Sequence, residues 1–480
     1  MPSAPQSLLT SPFALLGLLL GLGGLGGPLL VCQQIRPAPV GPTGLPSAAS
    51  HHLQRLTLET SRPNEGFGAS VALYGKTALV GCPQRRIDNQ VVGSAQLFTQ
   101  DPSGRWRPAY TIEESDLHDG TQFGASVALG EHRAVVSVCA RDVHTADMPA
   151  AYVYEEVAPH NWQRTASLSV EHQSASSLYS SAAALDADTA IIAHVGRDLR
   201  TERLFGMADV FRASDAGEWR RIARLAIPDE RAIRDEQALP EATALPDENA
   251  AGLAHFGRSV ALSGRCAIIG APLQVTSENL AGAAYIFEES PRGEWRQTAR
   301  LVADDARGAD SFGISVAIKG RTALVGAVGA DKKQNSGAAY LFRKTDAGQW
   351  KQVAKLTPDD AADWDNFGSS VSLDSDFAAI GAPGCNDGAG AVYVFRFDGM
   401  RATQIKKLTP PDAAPRSDFG RAVALAGNSV LSGAPAADHD NNPNTGAAYA
   451  TLFKKGGAAI FATTGKSKRR RLQTTTQPQI

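Results

Sequence analysis

Between His51 and Lys455 the apolar residues come in short runs that recur in a fixed order of four. The first run is small and β-branched, as in Ala69-Ser70-Val71-Ala72-Leu73. A tight turn follows, Tyr74-Gly75-Lys76 here and Lys319-Gly320-Arg321 further on, and it suits a two-residue hairpin. The second run is almost wholly apolar: Thr77-Ala78-Leu79-Val80, or Ala267-Ile268-Ile269. After a variable loop the third run opens at a glycine and alternates, as in Gly337-Ala338-Ala339-Tyr340-Leu341-Phe342. A polar turn such as Asp346-Ala347-Gly348 leads to the fourth run, Trp350 to Leu356. Trp106, Trp162, Trp219 and Trp295 take the same place as Trp350 in other copies. Short runs bounded by turn residues predict strands, four to a unit.

The units keep register. Phe-Gly pairs stand at Phe67-Gly68, Phe123-Gly124, Phe256-Gly257, Phe312-Gly313, Phe367-Gly368 and Phe419-Gly420, with a degenerate copy at Tyr179-Ser180. Fourteen positions after Phe67, Phe256, Phe312, Phe367 and Phe419 a triplet opens, clearest as Gly270-Ala271-Pro272, Gly381-Ala382-Pro383 and Gly433-Ala434-Pro435. Such register means one supersecondary unit repeated, each copy burying its face against the next. Four antiparallel strands repeated seven times predict an all-β fold, a seven-bladed β-propeller. Small residues in the first run fit innermost strands crowded round the axis. Leu53-Gln54-Arg55-Leu56 reads as a fourth strand with no unit of its own, and only three strands follow the last Phe-Gly pair. The N-terminal strand is therefore expected to complete the last blade and close the ring, leaving no open sheet edge.

Composition agrees with a turn-rich β protein: 46 Gly and 43% hydrophobic residues among 480. A net charge of −2 gives no field for nucleic acid. Residues 1–32 hold an apolar run, Phe13 to Leu20, of signal-peptide length, though no Lys or Arg precedes it. Leu29-Leu30-Val31-Cys32 faintly resembles a lipoprotein box. Retention or lipidation of this leader is the one expected route to membrane contact. Residues 33–50 read as a Pro- and Ala-rich linker, 51–455 as the propeller, and 456–480 as a basic, solvated tail. About 20 extra residues separate units three and four, a loop over 228–254 that is either functional or disordered. Cys82 and Cys139 fall at neighbouring triplets, where buried thiols are preferred over a bridge between blades.

Phe-Gly followed by Gly-Ala-Pro resembles the FG-GAP repeat of integrin α-subunit propellers. With Asp359-Asp360-Ala361-Ala362-Asp363 ahead of Phe367-Gly368, it looks most like secreted bacterial FG-GAP proteins. The resemblance implies a seven-bladed propeller in an extracytoplasmic, binding or adhesive setting. The family's calcium loop does not carry over. The 14-residue offset leaves only a tight turn where six to eight oxygen ligands would be needed.

Candidate chemistry is sparse. The loops between strands two and three, and between strand four and the next unit, should share one face, and both sets are polar. Acidic groups recur there: Glu113, Glu114, Asp116 and Asp119; Asp304, Asp305 and Asp310; Asp359, Asp360, Asp363 and Asp365; Asp412 and Asp418. They could attract cations or a basic partner, but capping turns is the plainer role. Asp438, Asp440, Asn442 and Asn444 alternate, so their oxygens could gather on one calcium ion, without the glycine and final Glu of an EF-hand. No Walker loop, HExxH or G-x-S-x-G elbow is present, so no catalytic residue is assigned. The expectation is a secreted or cell-surface module, not an enzyme. It needs no cofactor and recognises an extracellular protein or glycan on the loop face. A propeller enzyme acting on an extracellular polymer, and a self-associating structural repeat, are the alternatives.

Overall fold

A computed structural model describes residues 53–139, 149–170, 176–198, 204–227, 254–275, 280–331, 335–399, 401–439 and 442–453. The leader, linker and tail, the insert up to residue 253, Cys32 and Asp440 lie outside the described residues.

The second strands explain the architecture. Ala323, Leu324 and Val325 are all fully buried, so this strand has an apolar neighbour on both faces. Ala323 and Val325 pack towards blade four, Leu324 towards blade six. Seven four-stranded antiparallel sheets carry out the same plan. Blade one is Ser70–Tyr74, Thr77–Cys82, Ser94–Gln100 and Trp106–Ile112. Blade five is Ser315–Lys319, Thr322–Ala327, Ala338–Lys344 and Trp350–Leu356. Blade six is Ser370–Asp374, Phe377–Ala382, Ala391–Asp398 and Arg401–Leu408. Each innermost strand touches those of the blades before and after, which closes the circle. Seven apolar clusters fill the seven seams.

Closure follows the expected route. Gln54–Leu56 pairs antiparallel with the third strand of blade seven, Arg55 opposite Tyr449 and Leu56 opposite Ala448. Leu56 and Leu58 are buried in the seam between blades seven and one.

Blade three departs at the degenerate copy. No loop breaks the chain at Tyr179-Ser180; one strand, Ser176–Asp186, runs straight through, with only a register shift between Leu178 and Ser180. Elsewhere the Phe-Gly glycine holds φ near +90°, as at Gly68 and Gly368, a conformation that residues with a Cβ avoid. Ser180 has no such freedom, so the strand stays extended. The second and third strands of this blade, Thr189–Asp198 and Leu204–Ala213, lengthen with it.

The described cysteines are thiols and not disulfides, Cys82, Cys139 and Cys385 buried and Cys266 partly so.

Candidate functional site: the loop face

The two loop sets do share a face, and backbone bonds tie them together. Phe67 bridges to Gly446, Phe123 to Gly93, Phe312 to Gly282, Phe367 to Gly337 and Phe419 to Gly390. Each of these five Phe-Gly loops is thus latched to the strand-two-to-three loop of the preceding blade. A second latch lies beneath it. The triplet glycine of one blade meets the Phe-Gly carbonyl of the next so closely that a Cβ on Gly433 would lie 1.8 Å from the Gly68 oxygen. Below that oxygen sits a serine hydroxyl, as in Ser315 to Gly368 at 2.7 Å and Ser370 to Gly420 at 2.7 Å. The Phe rings turn inward and meet third-strand aromatics edge-on, Phe367 with Tyr393 and Phe395. The rings therefore belong to packing, and what remains exposed is the loop surface above them.

The loop acids have two structural jobs. Two positions before the Phe, a carboxylate caps its own loop: Glu65 accepts from Arg62 N, Asp310 from Arg307 N and Asp365 from Ala362 N. Four positions after the fourth strand's last apolar residue, another acid clamps the next blade. Asp360 accepts from Tyr393 at 2.9 Å and Lys407 at 2.6 Å, and Lys407 lies 5.1 Å from the Tyr393 ring centre. Asp305 pairs with Lys355 at 2.7 Å over Tyr340. Asp412 pairs with Arg55 at 2.6 Å and accepts from Tyr449 at 3.1 Å. In blade two Arg164 holds both Glu114 and Asp116 at 2.8 Å over Tyr152. Burial raises the Asp360 carboxyl, but the bonds from Lys407 and Tyr393 outweigh it and hold the group below its usual range. Burial, joined by the facing acid, pushes the hydroxyls of Tyr340 and Tyr393 up.

The clamp residues vary together within the chain. The loops before blades one and three carry Thr60 and His172 at the clamp position, and those two blades have Gln96 and Asp209 where the others have Tyr. A buried Tyr hydroxyl needs an acceptor. Without a loop acid, Gln96 is used and bonds Thr111 at 2.7 Å; Asp209 supplies its own carboxylate to Arg224 at 2.8 Å. Six of the thirteen acids read from the sequence, Glu113, Glu114, Asp116, Asp305, Asp360 and Asp412, are therefore ion-paired from within.

The remaining charge on this face includes two arginines, Arg421 exposed and Arg258 part-buried. Arg258 and Arg421 each follow a Phe-Gly pair at the loop end of an innermost strand. Burial, and then Arg421, push the Arg258 guanidinium down to about 10. Of the alternating oxygens in blade seven, Asp438 Oδ1 accepts from Asn444 N at 2.9 Å, and Asn444 Nδ2 donates to Asn64 at 3.1 Å. The Asn442 backbone pairs with His439, and the Arg55 guanidinium donates to the Asp438 carbonyl at 2.6 Å. Among the described residues no group of three or more His, Cys, Asp or Glu is placed to hold a metal ion. Burial pushes the Cys266 and Cys385 thiols up to about 12.

One exposed residue escaped the sequence reading. Trp364 lies three positions before Phe367, is 51% exposed and has φ of 68°. The signal was register: the other five Trp residues all stand at the start of a fourth strand. Trp364 alone does not.

Five latched Phe-Gly loops on a closed ring of seven blades define a repeat propeller of the FG-GAP class. Residues 241–287, 295–342, 350–395 and 402–452 match the FG-GAP repeat family, and the chain is an FG-GAP β-propeller. The matched segments cover blades four to seven; blades one and two carry the same loop geometry. No match was found among curated proteins.

Proposed function

We propose that this propeller is an extracytoplasmic binding module that engages a protein or glycan through its loop-rich face. The observation that carries this reading is the asymmetry of the two faces. One face holds short hairpin turns such as Gly75-Lys76 and Gly320-Arg321. The other holds both longer loop sets, latched to a rigid ring and still presenting exposed polar, basic and aromatic groups. Variable loops on a stiff scaffold are the usual carriers of recognition. Binding is favoured over catalysis by the state of the reactive groups. Cys385 is buried and Cys266 partly so, both thiols with raised pKa values, and burial and then Arg258 push the His255 imidazole down to about 4. Among the described residues no helix is long and apolar enough to cross a membrane. Calcium is not required for folding in this reading, and the Asp438–Asn444 loop is where a weak ion would add to the face.

The test is surface retention of the purified protein on glycans and on extracellular matrix proteins, with and without calcium. Asp363 and Arg416 are exposed on the loop face and take no part in the clamps. Replacing both by Ala should weaken retention about tenfold, a fair share of a hot spot's effect. Replacing Lys76 and Lys319 on the opposite face should leave it unchanged. The reverse pattern would place the ligand on the turn face and overturn the proposal.

A further inference from the structure

We infer that Trp364 is the stacking platform of a saccharide site on the blade-six sector of the loop face, which deepens the binding reading above and rests on it. The first observation is conformational. The position three before the Phe is left-handed in the five Phe-Gly loops where it is described: Asn64 at 63°, Gly120 at 84°, Ala309 at 69°, Trp364 at 68° and Arg416 at 64°. Gly and Asn suit that region; a bulky aromatic there is an outlier, and such strain concentrates where a ring is held for use. The fold gains little in return, since half of the Trp364 surface faces solvent.

The second observation is what surrounds the ring's loop. The Trp364 carbonyl accepts from Asn366 Nδ2 at 3.0 Å and abuts Gly384, where a Cβ would lie 1.9 Å away. Gly384 opens a turn in which Asn386 and Asp387 are both left-handed, at 53° and 58°. Both are exposed, and neither side chain bonds a described residue. The Asp387 carbonyl in turn accepts from Arg416 N at 3.1 Å. Backbone contacts therefore join an indole, an amide, a carboxylate and a guanidinium-bearing residue into one stretch of surface, with Asp363 beside it.

That mixture fits a pyranose ring. A sugar offers an apolar C–H face to an aromatic plane and a rim of hydroxyls to carboxylate and amide groups. A protein partner would instead want apolar neighbours round the Trp. Yet the other exposed loop-face hydrophobics, Val275, Leu280 and Val302, lie at blades four and five.

The experiment titrates the full chain with glucose-, N-acetylglucosamine-, galactose- and mannose-based hexasaccharides, followed by calorimetry and tryptophan emission. At least one should bind and shift the emission. Trp364→Asn, which suits the left-handed backbone, should weaken that binding about tenfold or more while leaving the melting temperature unchanged or raised. Trp364→Phe should keep most of it. Equal binding by Trp364→Asn and wild type overturns the site, and so does failure of every hexasaccharide to bind. If none binds but Trp364→Asn abolishes retention on a matrix protein, the saccharide assignment fails and the loop-face reading survives. If the substitution instead dissolves an oligomer, the occupant is a second copy of the chain.

Discussion

At the scale of single residues, the Phe-Gly loop is a set of backbone conformations before it is a set of side chains. Three positions are left-handed in each described loop of blades five and six: Ala309, Ser311 and Gly313, then Trp364, Asn366 and Gly368. In blade four the middle position is His255, at 55°. Burial, and then the neighbouring Arg258, hold its imidazole at about 4, against about 6.5 in an unfolded chain. Between those values the unfolded chain takes up a proton that the native one refuses. Stability therefore rises with pH across this window; it is full above about 6.5 and lost as pH falls through about 4. One such group contributes at most about 1.4 kcal/mol per pH unit. Asp310 and Asp418, raised by burial, act in the opposite sense, so the effect must be read by difference. His255→Asn places there the residue that blade six already uses. Urea midpoints measured from pH 7 to 4 should fall less steeply for this variant than for wild type. Parallel slopes would show that His255 is not held neutral. The Phe-Gly glycines were legible in the sequence because their chemistry repeats. Trp364 was not, because an exposed aromatic leaves no periodic trace and shows only as a break in another residue's register.

At the scale of the blade, the sequence showed the acids but not their partners. Asp360 and Lys407 lie 47 residues apart, and nothing local joins them. What joins them is the repeat: a loop acid and a third-strand Tyr vary together, Gln96 and Asp209 stand where the acid is missing, and in blade three the fourth-strand cation Arg224 turns to Asp209 instead. This ties the clamp to a definite energetic expectation. Asp360→Ala leaves the Tyr393 hydroxyl without its main acceptor, beside only the Cys385 sulfur at 3.6 Å. The Asp360 side chain is half exposed, so water softens the loss, and about 1 kcal/mol is expected. Tyr393→Phe should cost little in the Asp360→Ala background and more in wild type. A double-mutant cycle by urea denaturation measures that coupling. Strict additivity would mean that the Tyr hydroxyl does not depend on the loop acid. Blade three marks the limit of reading by register. At its degenerate Tyr179-Ser180 copy there is no glycine at the turn, and the chain runs through as Ser176–Asp186.

At the scale of the whole molecule, ring closure joins residues almost 400 apart, and it was legible because a single unmatched fourth strand precedes the first unit. The join is more than a strand pairing. Gln54 exchanges two bonds with the Trp106 backbone, at 2.7 and 2.8 Å, so the closing strand of blade seven is also fastened to blade one. Arg55 reaches Asp412 and the Asp438 carbonyl, which fixes two loops of the loop-rich face. Leu56 and Leu58 fill the last seam. A chain beginning at Glu59 would lose all of these and expose Ala447–Leu452 as a free edge. Two buried leucines alone are worth roughly 4 kcal/mol or more. Against a chain beginning at His51, the shorter one should therefore melt markedly lower and self-associate through the open edge. A synthetic peptide of residues 51–60 should restore both properties by adding back the strand. An unchanged melting temperature in the shorter chain would show that the ring is held by its seams alone. The Gln54–Leu56 strand would then be an ornament on blade seven, and the two loops that Arg55 joins would be free to move without unfolding the propeller.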